Sequence, residues 1–200
     1  NTTTLGISHL PFTVKGANSL AGLSEINASH LELENLSFPY CVSINSLFIN
    51  EESTGNTYNT ADITVTLAHE LGHYLGLHHV FSETENENSC EDTDYCADTP
   101  TYNKKAYDMD CAYIEVNDPD NFTFANLVNR ENCLTGESFV SYNIMDYAIS
   151  YSDRFTPEQR ARIRHVLLYS PLIPGPKAGQ EAGTRSAPSG LMKLPIRTAK

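Results

Sequence analysis

The sequence predicts an α+β domain organised around one metal-binding helix, with strands ahead of it and a loop-rich half behind. Three observations predict this. The run His69-Glu70-Leu71-Gly72-His73-Tyr74-Leu75-Gly76-Leu77-His78-His79 has the spacing of ligands on a helix that ends in a turn, short β-rich stretches precede residue 60, and Thr156-Pro157-Glu158-Gln159 opens a last helix. Two hundred residues suffice for one core, so 1–170 are assigned to a single domain. The Pro- and Gly-rich residues 171–200 are read as an extended tail or linker.

In chain order, residues 4 to 14 mix apolar and polar positions as a strand does, with a break near Pro11, which cannot donate to a ladder. Residues 31–36 alternate with period two, and Cys41 to Ile49 form another β-rich run. His9 and His30 are isolated and read as structural. The metal-binding helix is expected to begin near Thr60, with Asp62 in its first turn, where a negative charge suits the helix dipole. Val65, Ala68, Leu71 and Leu75 would form its apolar stripe, leaving the histidines on a face that looks into a cleft.

His69 and His73 lie four apart and so project from one face of the helix, where a single cation can take both imidazoles. His79 is the third candidate ligand, and it reaches the metal only if the chain turns at Gly76, a residue free to take the left-handed conformation. Three imidazoles with one position left open suit a hydrolytic zinc site. Glu70, next to the first ligand, would act as general base on a water whose pKa zinc lowers to about 7. His78 sits off this geometry and is read as a packing residue.

The acidic stretch from Ser82 to Asp98 supports two readings, a solvated loop or a calcium site, because calcium takes oxygen ligands in number. Four of five cysteines fall between 90 and 133, which suggests disulfides and an oxidising compartment, while Cys41 reads as a free buried thiol. Residues 101 to 140 show little periodicity beyond a short helix around Phe124 to Arg130. The last helix should bury Ile163, Val166 and Leu167 and stop near Ser170. With 13 basic and 25 acidic residues the formal charge is −12, which argues against nucleic acid or an anionic membrane as partner. No apolar run is long enough for membrane insertion.

The zinc run, taken with Asn143-Ile144-Met145-Asp146-Tyr147, resembles the metzincin zinc peptidases, whose extended motif is paired with a downstream methionine turn. Val80-Phe81, Asp98-Thr99-Pro100 and Arg154-Phe155-Thr156-Pro157-Glu158-Gln159 make the pappalysin family (peptidase family M43) the nearest likeness, over roughly residues 60 to 170. The resemblance implies a zincin catalytic domain over 1–170. It has a twisted mixed sheet and zinc helix above a cleft, an irregular lower half with a methionine turn, and a C-terminal helix. The implied activity is zinc-dependent endopeptidase action on polypeptides, with Met145 as a hydrophobic base under the metal and Tyr147 assisting at the oxyanion. It also implies structural calcium near Asp92, Asp94, Asp98 and Thr99 and disulfides Cys90–Cys133 and Cys96–Cys111. The cysteines point to an extracellular, periplasmic or cell-surface (secreted) location, and the chain is expected to be a monomer, attached to further domains or an N-terminal segment since only about three strands precede the helix. The rival expectations are a silent binding module with this fold, which the intact Glu70 argues against, and a zinc amidase for a small or cell-wall peptide, which would want a closed pocket.

Overall fold

In a computed structural model of the chain the described residues are 4–26, 40–54, 59–147, 149–171, 173 and 177. Pro11 divides the first stretch as expected, leaving β1 (Gly6–Ser8) before it and β2 (Thr13–Val14) after it. β2 runs parallel to β3 (Glu25–Ile26), and β1 pairs antiparallel with β4 (Val42–Ile44), Gly6 facing Ile44 and Ser8 facing Val42. The run to Ile49 does not continue as strand. The Asn45 side chain accepts from Leu47 N at 3.0 Å and caps a 3-10 turn, Ser46–Phe48, since short polar side chains compete with the ladder for backbone donors. The alternating residues 31–36 lie outside the described residues. Among the described residues the strands form two-stranded ribbons rather than one mixed sheet.

The metal-binding helix is α1, Ile63–Tyr74, and it starts later than expected because Asp62 is its cap rather than part of its first turn. Asp62 Oδ1 accepts from Thr64 N at 2.8 Å and Oδ2 from Ser53 N at 2.7 Å, which also pins the preceding loop. β1 and β4 pack on α1. That ribbon is only three residues long and leaves Leu71, expected in the stripe, 41% exposed; Thr66, Glu70 and Gly72 are the buried positions instead.

Two apolar clusters bracket the end of α1. One joins Leu77, Val80 and Met145 with Phe155 and Ile163; the other joins Leu23, Val166 and Ile173 with Tyr74 and Leu75. Gly76 turns the chain between them at φ +91°, and a Cβ there would stand 2.7 Å from Val166 Cγ2, so the position needs glycine for conformation and for space.

The second half holds more order than its composition suggests. α2, Lys104–Asn117, was not expected, and the reason is physical: it has no fully buried residue, and Met109, Tyr113 and Val116 are exposed, so there is no buried stripe to read. Its start is fixed by the Asn103 cap on Ala106 N (2.8 Å) and by Ser82 N donating to Tyr102 O (2.8 Å). α3, Phe124–Leu127, matches the short helix expected there, and β5 (Asn129–Glu131) pairs with β6 (Ser138–Val140) in a hairpin. α4, Pro157–Tyr169, begins with the expected capping box, in which Thr156 and Gln159 satisfy one another's backbone donors. Leu167 is not on its buried face; Arg162 is buried, its Nε donating to Gly76 O and its Nη2 to Ala21 O, both at 2.6 Å.

The cysteines follow the expectation in part. Cys90 and Cys133 form a disulfide that ties the acidic loop to the β5–β6 connection. Cys96 and Cys111 do not pair: Cys96 is buried in the loop beside Asp94, whereas Cys111 lies on α2 and faces the cleft. Cys41 is half-buried rather than buried, with its sulfur 3.7 Å from Ser43 Oγ.

Candidate metal centre

His69 and His73 leave α1 on one face, and the Gly76 turn brings His79 back against them. His73 Nε2 lies 3.1 Å from Nε2 of both His69 and His79. Each remote nitrogen has a partner: His69 Nδ1 meets Ile144 O at 2.8 Å, His73 Nδ1 meets Leu77 O at 2.8 Å, and His79 Nδ1 meets the Glu83 carboxylate. A carbonyl only accepts, so Nδ1 of His69 and His73 must carry the proton and Nε2 keeps its lone pair. Burial, reinforced by the neighbouring imidazoles, lowers His69 to about 4 and His73 to about 3, which keeps both neutral near pH 7. Nitrogens arranged tetrahedrally about zinc at its usual bond length would be about 3.3 Å apart. The observed spacing fits such an ion, and this is the one group of His, Cys, Asp and Glu among the described residues placed to share a metal.

Glu70 lies one residue along the same helix, 8% exposed, and burial raises its pKa above the ordinary carboxylate value while His79 pulls the other way. β1 crosses directly over it, for a Cβ on Gly6 would stand 2.7 Å from Glu70 Cγ. Beneath the helix Met145 is fully buried, and a Cβ on Gly72 would stand 2.3 Å from its sulfur, so the methionine occupies the space glycine leaves. Tyr147 follows on the same turn, its ring 4.6 Å from that of His79 and 4.8 Å from that of Phe81; burial, then Glu83 and Glu70, raises its phenol pKa.

The turn carrying Met145 and Tyr147 rests on buried polar groups that sequence reading missed. Asp146 accepts from Tyr102 Oη at 2.6 Å, from Ser141 Oγ, and from Tyr147 N at 2.8 Å, and lies 3.8 Å from Arg130, with neither side chain of that pair exposed. The Asn143 and Gln159 amides exchange hydrogen bonds of 2.9 and 3.2 Å, which fix the turn to α4. A lone buried arginine with its acid far along the chain has no spacing signal, and only three-dimensional pairing reveals it. Glu83 lies four residues past His79 in non-helical chain, so helix spacing gave no signal for it either.

His69, Glu70, His73, His79 and Tyr147 line one cleft of about 690 Å³ together with residues 4–8, and Lys104, Tyr107, Asp108 and Cys111 of α2 face into it. Asp94, expected near calcium, is instead committed within the loop. Its oxygens accept from Thr99 Oγ1 at 2.6 Å and Cys96 N at 2.9 Å, and burial raises its pKa to about 7. Asp98 accepts from Glu158 N at 2.9 Å and Asp92 is exposed. These residues, with Thr99, brace the loop, and among the described residues they are not in the one group of His, Cys, Asp and Glu placed to share an ion.

A helix that offers two imidazoles and a carboxylate, closed by a third imidazole above a buried methionine, defines a centre of the metallopeptidase class. The chain belongs to the peptidase M43 family, whose profile, described as pregnancy-associated plasma protein-A, matches residues 40–168. It is 36% identical over 99 residues to proteins named extracellular metalloprotease from Arthroderma benhamiae and Trichophyton verrucosum, and 35% identical to one from Arthroderma otae. Each match covers 49% of this chain and 29% of the relative, so the matched region is under a third of those proteins' length. No solved structure matches. No helix among the described residues is long and apolar enough to cross a membrane.

Proposed function

We propose that this chain is the zinc-dependent catalytic domain of a secreted endopeptidase of metzincin architecture. The observation that carries the reading is the convergence of three Nε2 lone pairs, two of them fixed by Nδ1–H bonds to backbone carbonyls, beside a buried glutamate in an open cleft. His69, His73 and His79 would hold the ion. When bound, zinc supplies the acidity of a water and the polarisation of a carbonyl. Glu70, buried beside His69 and lining the cleft, would take a proton from such a water and return it to the leaving amine. Tyr147 donates to the oxygen on which charge develops, a contact commonly worth about 3–4 kcal/mol. Met145 gives the imidazoles a rigid apolar floor.

The polypeptide substrate is supported by the cleft wall: residues 4–8 line it, and β1 pairs with one strand, β4, among the described residues, which leaves an edge for an extended chain. Secretion is supported by the Cys90–Cys133 disulfide and by the names of the relatives. The test compares wild type with Glu70→Gln for zinc content and for cleavage of a quenched peptide library. Equal zinc in both with cleavage by wild type alone supports the reading. Zinc without cleavage of any peptide by wild type contradicts it in favour of a binding module, and cleavage confined to dipeptide-sized amides contradicts it in favour of an amidase.

A further inference from the structure

Among the described residues that line the cleft Lys104 is the one Lys or Arg, and its position is held from several sides. It is the first residue of α2, directly after the Asn103 cap. Its ammonium is bound by both oxygens of Asp108, one turn on, at 2.6 and 2.5 Å. Its backbone N donates to Ser82 O at 3.3 Å, three residues beyond His79. From there the ammonium lies 5.4 Å from the centroid of the Tyr147 ring and 6.0 Å from that of Phe81. Tyr147 is otherwise 45% exposed, so its ring is bracketed by His79, Phe81 and this cation rather than enclosed by core.

We propose that Lys104 is a positioning residue for Tyr147: anchored by Asp108, its ammonium holds the phenol ring over the three-histidine centre, so that the hydroxyl meets the reacting carbonyl's oxygen at the transition state. An ammonium within about 6 Å of an aromatic centroid is attracted to the ring face, and the attraction strengthens where water is excluded. Substrate entering the cleft would exclude water there. The role differs from substrate recognition, because Asp108 fixes the ammonium beside the Tyr147 ring instead of leaving it free to follow a peptide. It rests on the peptidase reading above and on Tyr147 acting in it.

The test is a double-mutant cycle of Lys104→Met and Tyr147→Phe in the full chain, with Lys104→Arg as the conservative variant. Zinc content and thermal midpoint are recorded for each protein. Lys104→Met should lower kcat about three- to tenfold with little change in KM, a range set by the strength of cation–π contacts. Lys104→Arg should restore most of that loss, and in the Tyr147→Phe background Lys104→Met should have no further effect on kcat. Calorimetric binding of a phosphinic peptide, which mimics the tetrahedral species, should weaken in the same pattern. A Lys104→Met loss that persists undiminished in the Tyr147→Phe background, or appears as a KM increase, assigns Lys104 to substrate contact and overturns the proposal. Lys104→Met without effect, while Tyr147→Phe is slowed, overturns it and leaves the Tyr147 role standing. If Tyr147→Phe is not slowed, the assisting role of Tyr147 fails first and the proposal with it.

Discussion

The two sides of the cleft are built by different means. On one side α1, the Gly76 turn and the Met145 turn are tied to α4 by buried groups: Met145 under Gly72, Arg162 on Gly76 O, and Gln159 on Asn143. On the other side α2 has no fully buried residue and is held by the Asn103 cap, the Ser82 pairing and, through its neighbours, the Cys90–Cys133 bond. The difference teaches where rigidity is needed. Imidazoles sharing one ion tolerate little displacement, so their supports are packed, whereas a wall that receives substrate can be held by caps and a crosslink.

Breaking the rigid side should have the largest effects. Glu70→Gln should lower kcat about 10²–10⁴-fold with zinc retained, as steady-state kinetics with metal analysis would show. Arg130→Met leaves Asp146 buried beneath the Tyr147 turn without its guanidinium partner, and should cost about 3–5 kcal/mol in urea unfolding. On the other side, replacing both Cys90 and Cys133 by serine should cost about 2–4 kcal/mol while zinc still binds, since the crosslink lies outside the histidine cluster. Loss of zinc in that variant would show that the histidine cluster depends on the crosslinked side.

Asp94 sharpens the contrast through pH. Its carboxyl, raised by burial to about 7 in the folded chain, binds a proton more readily there than in the unfolded chain, so folding stability from this group falls as pH rises from about 4 to about 7. Asp94→Asn should therefore raise the thermal midpoint at pH 8 relative to wild type and change it much less at pH 4. Asn103→Ala should cost about 1–3 kcal/mol, since the cap on Ala106 N is lost together with the amide's donations to Asn86 O and Ser89 O, with amide exchange of α2 rising before that of α1.

The same division explains what could be read from sequence. The convergence of His69, His73 and His79 was legible because metal geometry fixes such spacing on a helix and its terminating glycine. α4 was legible because Thr156, Pro157 and Gln159 are local signals. α2 was not, because its residues face solvent or the cleft and leave no apolar period; nor were Arg130 and Asp146, 16 residues apart and paired only through the fold. Leu71 and Leu167 were misplaced because periodicity finds an apolar face without saying how much of it a three-residue ribbon or a competing arginine will cover.

Zinc K-edge absorption on the metal-loaded protein tests the central claim most directly. Three imidazole nitrogens at about 2.0–2.1 Å with one or two oxygen neighbours is the predicted first shell. A sulfur neighbour at about 2.3 Å, drawn from a free cysteine such as Cys41 or Cys111, or a shell with fewer than three imidazoles, would contradict it.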